Sequence, residues 1–292
     1  PQTSQAILEY LETCNMFIEA LDSNREWFRY HRLFADLLRK HLGQGQDSQI
    51  VRLHRRASQW FQDNGLTAEA IEHALKAEDH ERAASLITSQ AEAILMRSEF
   101  ATLRNWLVQL PEEILNKVPI LRVYSAWTLF YAGHSINEVE NQLRDLEQAN
   151  ITYQVLPFRA MVAIYRGDME KSMQYSRQAL EFLGEEDQYS RSIALWLYGV
   201  ANMAENNIRQ RIDILHEMIQ LGRSSQNNMI TIMSLAQLGD AHIGLGKLEQ
   251  AQTIFEQALF EATNSNGEFL PLAGEALRGL GVLQMHWNNL SK

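Results

Sequence analysis

The groups in this sequence that stand in patterns able to do chemistry are carboxylates, guanidinium groups and aromatic rings. Glu112-Glu113 and Glu185-Glu186-Asp187 have the composition of acid/base pairs. Both clusters fall where a helix is predicted to begin, and carboxylates facing the positive end of a helix dipole stabilise the first turn without any catalytic part. Arg29, Arg32, Arg39, Lys40, Arg52, Arg55 and Arg56 form a basic set of the kind that meets nucleic acid. Residues 1–60 nevertheless carry eight Lys/Arg against seven Asp/Glu, so these chains are predicted to pair with acidic neighbours or to lay their alkyl stems on apolar surface. The sequence contains no Gly-x-x-x-x-Gly-Lys-Ser/Thr loop, no His-x-x-x-His pair, no cysteine pair and no Gly-x-Ser-x-Gly elbow. Nucleotide hydrolysis, metal chemistry and acyl transfer therefore have no visible machinery, and the chain reads as non-enzymatic, with no metal and no cofactor of its own.

The aromatic set is the richer one. Val123, Trp127, Phe130 and Tyr131 surround Ala126; Met161, Ile164 and Tyr165 follow Ala160; Trp196, Val200 and Met203 surround Gly199; Arg278, Val282, Met285 and His286 surround Gly281. In tetratricopeptide (TPR) units two helices cross at a small residue, and the stacked first helices line a concave surface. Residues one, four and five after the crossing residue, or three before it, are expected to face that surface. The row so projected is apolar and aromatic, suited to a planar effector, a sugar or a partner helix. Trp127, Tyr131, Tyr165 and Trp196 should line it continuously, unless a one-position error in register places some of them in the core.

These residues require a repeated scaffold, and one is legible. Leu235-x-x-Leu238-Gly239-x-x-His242, then Gly246, then Ala251-x-x-x-Phe255-x-x-Ala258 follows the TPR pattern without its usual Trp, Tyr and terminal Pro. A shift of 40 aligns Leu238-Gly239 with Tyr198-Gly199, and a shift of 42 aligns it with Leu280-Gly281. Turns at positions 133, 167, 206, 246 and 288 lie 34, 39, 40 and 42 apart, which predicts TPR-like pairs with lengthened helices. Upstream, helical periodicity covers Ile50 to Asn64, Ala68 to Ala77, His80 to Arg97 and Glu99 to Gln109, and Pro111 and Pro119 suit helix starts. Gly43 to Ser48 is the best linker. Before it, a short helix after Ser4, strands at Met16 to Leu21 and Trp27 to Tyr30, and a helix from Leu33 make part of a winged helix with one β-hairpin. The expected class is all-α: a right-handed TPR-like superhelix preceded by that partial domain. Residues 1–43 form its C-terminal part, 44–118 helical connector pairs, and 119–292 the superhelix.

Particular residues carry a resemblance. Asn15-Met16-Phe17-Ile18-Glu19-Ala20-Leu21-Asp22 runs into Trp27-Phe28-Arg29-Tyr30-His31-Arg32-Leu33-Phe34-Ala35-Asp36-Leu37-Leu38. Leu53-His54-Arg55-Arg56-Ala57-Ser58-Gln59-Trp60-Phe61, Asn64 to Leu75, Leu103-Arg104-Asn105-Trp106-Leu107 and Leu110-Pro111-Glu112-Glu113 continue it. The whole resembles the winged-helix and sensor regions of the MalT-like transcription activators, ATP-dependent bacterial regulators of the STAND class. The resemblance is dense over residues 10 to 135 and continues beyond them only as helical repeats. It implies a sensor that receives an inducer or a regulatory protein and shifts an upstream nucleotide-binding domain from a closed, ADP-bound monomer to an open, ATP-bound oligomer. It also implies LuxR-type DNA binding through a C-terminal domain beyond residue 292. His31 occupies the Tyr-His-x-Leu-Phe position whose imidazole, in such proteins, touches the phosphates of ADP. That role, like ATP and ADP themselves, belongs to the full-length parent. The last repeat has a first helix and no second, and the first domain begins in mid-fold, so the sequence reads as a segment of something longer. A free-standing TPR adaptor for peptides would explain the repeats but not Trp27 to Leu38; a STAND sensor with another output is the other alternative.

With 292 residues and 46% hydrophobic content the chain has material for a sizeable interior. Its net charge of -10 is uneven, since residues 61–292 carry 18 Lys/Arg against 29 Asp/Glu, and that larger part would repel a phosphate backbone. Cys14 stands alone, and neither a secretory signal nor a spanning apolar run is visible, so a reducing cytoplasm and no membrane are expected. Asn150-Ile151-Thr152 and Asn289-Leu290-Ser291 are read as chance sequons.

Overall fold

A computed structural model describes residues 4–25, 27–42, 47–143, 146, 152–185, 187–203, 207–263 and 267–287. The chain divides into two compact units, Pro1–Asp79 and His80–Lys292.

In the first unit α1 (Ser4–Thr13) leads into an antiparallel hairpin of β1 (Ile18–Ala20) and β2 (Phe28–Tyr30), in which Ile18 faces Tyr30 and Ala20 faces Phe28. The strands are shorter than the sequence predicts: Phe17 has a φ of +55°, outside the extended region, so β1 starts only at Ile18, and beyond the Leu21 N–H to Trp27 O bond of 2.8 Å the turn is closed by Asp22 Oδ1 accepting the Trp27 N–H at 2.9 Å. α2 (Arg32–Leu42) follows, its Phe34 ring stacked on Phe17 at 5.1 Å. Residues 43–46 of the linker candidate lie outside the described residues. α3 (Asp47–Asp63) and α4 (Thr67–Lys76) then pair across a turn at Gly65, whose φ of +75° strains any residue with a Cβ. Ala70, Ile71, Ala74 and Leu75 recur at helical spacing and form the buried stripe of α4.

The second unit is a run of helices: α5 (His80–Met96), α6 (Phe100–Leu107), α7 (Glu112–Lys117), α8 (Ile120–Tyr131), α9 (Ile136–Leu143), α10 (Thr152–Tyr165), α11 (Met169–Phe182), α12 (Gln188–Asn202), α13 (Ile208–Ser224), α14 (Asn228–Gly244), α15 (Leu248–Glu261) and α16 (Ala273–His286). Pro111 and Pro119 stand immediately before α7 and α8. From α10 onward neighbours in sequence pack as neighbours in space. The turns expected at 133, 167 and 246 join α8 to α9, α10 to α11 and α14 to α15, each with glycine at positive φ; those at 206 and 288 lie outside the described residues. After residue 45 the described residues form no second sheet, only an isolated bridge between Thr263 and Phe269.

Helix crossings set the register of this unit. A Cβ on Gly199 would collide with the Met218 side chain of α13, and one on Gly239 would lie 2.6 Å from the Phe255 ring of α15. Phe255 is fully buried, and the same ring atoms, Cε1 and Cζ, also meet Gly279 of α16, where a Cβ would collide as well. Gly281, which the sequence suggested as the crossing residue of α16, is exposed, with nothing near its Cβ position. The true crossing keeps the 40-residue step from Gly199 to Gly239 to Gly279. Matching the Leu-Gly dipeptide instead displaced the sequence reading by two residues.

Candidate functional site

A cavity of about 670 Å³ opens among the first helices of successive pairs. The last turns of α8 and α10 supply Phe130 and Tyr131, then Met161, Ile164 and Tyr165. The second half of α12 supplies Trp196 and Val200; α14 supplies Met229 and Met233 from its first half and Gln237 from just past its middle. Gly133 to Ile136 close one side, and the segment entering α16, from Pro271 to Glu275, closes another. The wall thus moves from the ends of the early helices to the beginnings of the late ones. A superhelical stack crosses its helices obliquely, so one continuous surface is met at a different depth on each.

That obliquity decides which projected residues reach the cavity. Phe130, Tyr131, Met161, Tyr165, Trp196 and Val200 do. Val123, Trp127 and Met203 do not: all three are buried in the interior, Trp127 being 1% exposed. Trp127 stands edge-on to Phe158 at 5.0 Å and to Tyr189 at 6.0 Å, sealed where neighbouring helices cross. Trp196 is 3% exposed, so the prediction of an exposed ring fails for it too, although one side borders the cavity and its Nε1–H is satisfied by Ser234 Oγ at 3.0 Å. Arg278 and His286 were placed by the displaced register of α16 and do not line the cavity; Arg278 instead pairs with Asp240 at 2.7 Å and Glu275 at 3.2 Å. Met229, Met233 and Gln237 were missed. Their spacing of four marks a helical stripe in the sequence, but on a face of α14 that the small-residue rule does not select.

The wall is mostly apolar and its electrostatics follow. Tyr131 stacks on Phe100 at 4.1 Å and directs its hydroxyl to the Met229 sulfur; burial, followed by the influence of Tyr165, pushes its phenol up. Tyr165 is 62% exposed, and burial of the rest of its ring, then the charge of Glu275, pushes its phenol up as well. Both stay protonated donors. On the core side, Glu92 of α5 accepts the Tyr189 N–H at the start of α12, at 3.4 Å. Burial pushes its carboxyl up to about 7, opposed by that hydrogen bond and reinforced by Asp187.

Another cavity, of about 560 Å³, holds Arg159, Arg166 and Lys171, but Arg166 is matched by Glu140 at 2.6 Å and Lys171 by Asp168 at 2.6 Å. It offers no uncompensated charge of that pair to an anion. None of the described residues form a group of three or more His, Cys, Asp or Glu placed to hold a metal, and no helix among them is long and apolar enough to cross a membrane.

Comparison with known proteins agrees with this architecture. Residues 1–50 match the family model of the MalT winged helix domain, and residues 153–292 match that of the MalT-like TPR region. The chain is a distant homologue of the MalT regulators. It is 29% identical over 298 residues to the HTH-type transcriptional regulator MalT of Serratia proteamaculans (strain 568), covering 99% of this chain and 33% of that protein, so it spans about a third of its relative's length. The crystal structure of a STAND protein with a tetratricopeptide repeat sensor from Pyrococcus horikoshii shares the fold, with a TM-score of 0.58 at 14% identity over 99% of this chain and 44% of that one.

Within the MalT-like winged helix, His31 sits between β2 and α2. Its N–H donates to Phe17 O at 2.6 Å and its carbonyl accepts from Phe34 and Ala35, which start the helix. The imidazole itself is exposed and makes no hydrogen bond among the described residues; it borders a surface cavity of about 570 Å³ with Arg32 and the pair Arg29–Glu19, 2.7 Å apart. Of the remaining basic set, Arg55 pairs with Asp79 at 3.2 Å, and the side chains of Arg39 and Lys40 lie outside the described residues.

Proposed function

We propose that this chain is the signal-sensing and protein-interaction region of a MalT-like STAND transcription activator, and that the 670 Å³ cavity receives its effector. The observation that supports this reading is the convergence of four first helices and the α16 entry segment on one apolar, partly open space of a size that suits small molecules. An occupant touching α8, α10, α12, α14 and α16 together favours the helical arrangement that brings them to one spacing. If that arrangement is the one competent for ATP-dependent oligomerisation, the effector shifts the balance by its differential affinity for the two states and by no more. A regulatory protein covering the same mouth would bias the opposite state. DNA contact belongs to a separate domain of the parent, and the working organisation remains winged helix, helical connector and sensor.

In the full-length parent, His31 would meet the phosphates of ADP. Its free imidazole beside the Arg32 guanidinium fits an anion, whereas Arg29 is already held by Glu19. The nucleotide supplies the bound-state signal there; the part of His31 is to hold a phosphate oxygen through a ring N–H.

The test is a thermal-shift screen of the chain against sugars, nucleotides, amino acids and aromatic acids and amines, because a ligand of the native state raises its melting temperature. Hits should lose their effect in Met233→Trp, which fills the cavity. Hits that survive that substitution, or a screen without hits, would count against the cavity as the effector site.

A further inference from the structure

The polar groups of the cavity narrow the chemistry of its occupant, on the reading that it is the effector site. Most of them are already engaged. Trp196 donates to Ser234 and Tyr131 is directed at Met229, while the exposed Ser135 Oγ accepts the Glu138 N–H at 3.3 Å and keeps its O–H to donate. His134 is held at both ring nitrogens. The Arg104 guanidinium can only donate, so Nε2 accepts from it at 3.2 Å and Nδ1–H donates to Glu138 at 3.0 Å. Apart from that Ser135 O–H, three groups remain. Tyr165 hydroxyl and the Gln237 amide make no hydrogen bond among the described residues, and Glu275 commits only Oε2, to Arg278 Nε at 3.2 Å. Arg278 is shared with Asp240 at 2.7 Å, and no Lys or Arg is among the residues lining the cavity.

We infer that the cavity takes an amphipathic organic cation, with an apolar, preferably aromatic body against Phe130, Tyr165, Trp196 and the methionines and a protonated amine turned to the open oxygen of Glu275. Ring faces attract cations, and methionine sulfur adapts to flat apolar shapes. A carboxylate or phosphate would meet a carboxylate and no cation. A sugar would bring more hydroxyls than these few free polar groups can satisfy, and each unsatisfied one loses its hydrogen bonds to water. The surroundings agree, since residues 80–292 carry 17 Lys/Arg against 24 Asp/Glu and so attract cations at longer range.

The experiment is calorimetric titration of the chain with tryptamine, tryptophol and indole-3-acetate, which share an indole body and differ in charge. Tryptamine is expected to bind at least about ten-fold more tightly than tryptophol, a difference of about 1.4 kcal/mol, and indole-3-acetate more weakly than either. Glu275→Gln should bring tryptamine down to the affinity of tryptophol and leave tryptophol unchanged; Glu275 is partly exposed, so the variant keeps its fold. Equal or tighter binding of indole-3-acetate, indifference of tryptamine to Glu275→Gln, or no binding by any of the three overturns the amine inference. If the three bind alike and all are lost in Met233→Trp, the amine inference fails while the effector site stands. If binding survives Met233→Trp, the site itself fails.

Discussion

Two sets of aromatic rings occupy the same helices of the second unit and do opposite things. Trp127, Phe158 and Tyr189 meet edge to face and are sealed, whereas Phe130 and Tyr165, themselves edge to face at 5.2 Å, border open space. Neither residue type nor helix face separates them. Trp127 and Tyr131 are one turn apart on the same side of α8 and their rings stack at 6.0 Å, yet only Tyr131 reaches the cavity. Depth along the helix makes the difference: Phe158 and Tyr189 of neighbouring helices cover Trp127, whereas Tyr131, one turn later, borders the cavity. A concave surface in such a stack is therefore a property of depth along each helix.

The largest expected effect breaks that comparison if it is misdrawn. Trp127→Ala should destabilise the chain by about 3–5 kcal/mol, as large-to-small changes in a sealed core do, while Tyr165→Ala should change stability by no more than about 0.5 kcal/mol and abolish the response to any cavity ligand. Denaturant unfolding of the two variants decides it: similar stabilities would mean that the rings do not differ in environment.

A smaller effect sharpens the register. Gly279→Ala forces a methyl group into the Phe255 ring and should cost about 1–3 kcal/mol, whereas Gly281→Ala meets open space in a helix and should gain up to about 1 kcal/mol. Thermal unfolding that ranks these two the other way would place the crossing at Gly281 and return Arg278 and His286 to the concave surface.

The smallest effect probes the core side through its carboxyl. Burial raises Glu92 from the ordinary carboxylate range to about 7, so the folded chain holds this proton more tightly than the unfolded chain does. Stability from this group is present below the ordinary range, falls as pH rises toward about 7, and is lost above it. Glu92→Gln keeps an acceptor for the Tyr189 N–H and removes the titration. Relative to the unsubstituted chain it should gain on the order of 1–2 kcal/mol at pH 8 and little at pH 5. A difference that does not grow across this window would show Glu92 to be better solvated than its position between α5 and α12 implies.

Much of the fold was legible because its signals are local. Pro111 and Pro119 mark helix starts, Gly133, Gly167 and Gly246 mark turns whose positive φ excludes side chains cheaply only for glycine, and the apolar alternation around the Asp22 turn marks the hairpin. The site was legible in part. Phe130, Tyr131, Met161, Tyr165, Trp196 and Val200, projected from the small buried residues Ala126, Ala160 and Gly199, line the cavity, whereas Arg278 and His286 do not, because Leu280-Gly281 imitates the motif better than the crossing at Gly279 does. Met229, Met233 and Gln237 share the cavity with residues that stand much later on the preceding helices, a relation that no rule applied equally to every repeat can express.

What the sequence alone determined is whatever depends on a few adjacent residues: helices and their ends, the 40-residue step, the winged-helix segment from Trp27 to Leu38, and the absence of a phosphate loop. Those follow from backbone sterics and side-chain chemistry that act within one or two turns. Tertiary structure alone decided that Trp127 is core and Tyr165 is wall, that Gly279 rather than Gly281 admits Phe255, and that Glu275 faces Tyr165 across the same space. These depend on the angle at which whole helices cross, and that angle is set by the packing of many side chains at once, with a single pair such as Gly239 and Phe255 able to move it.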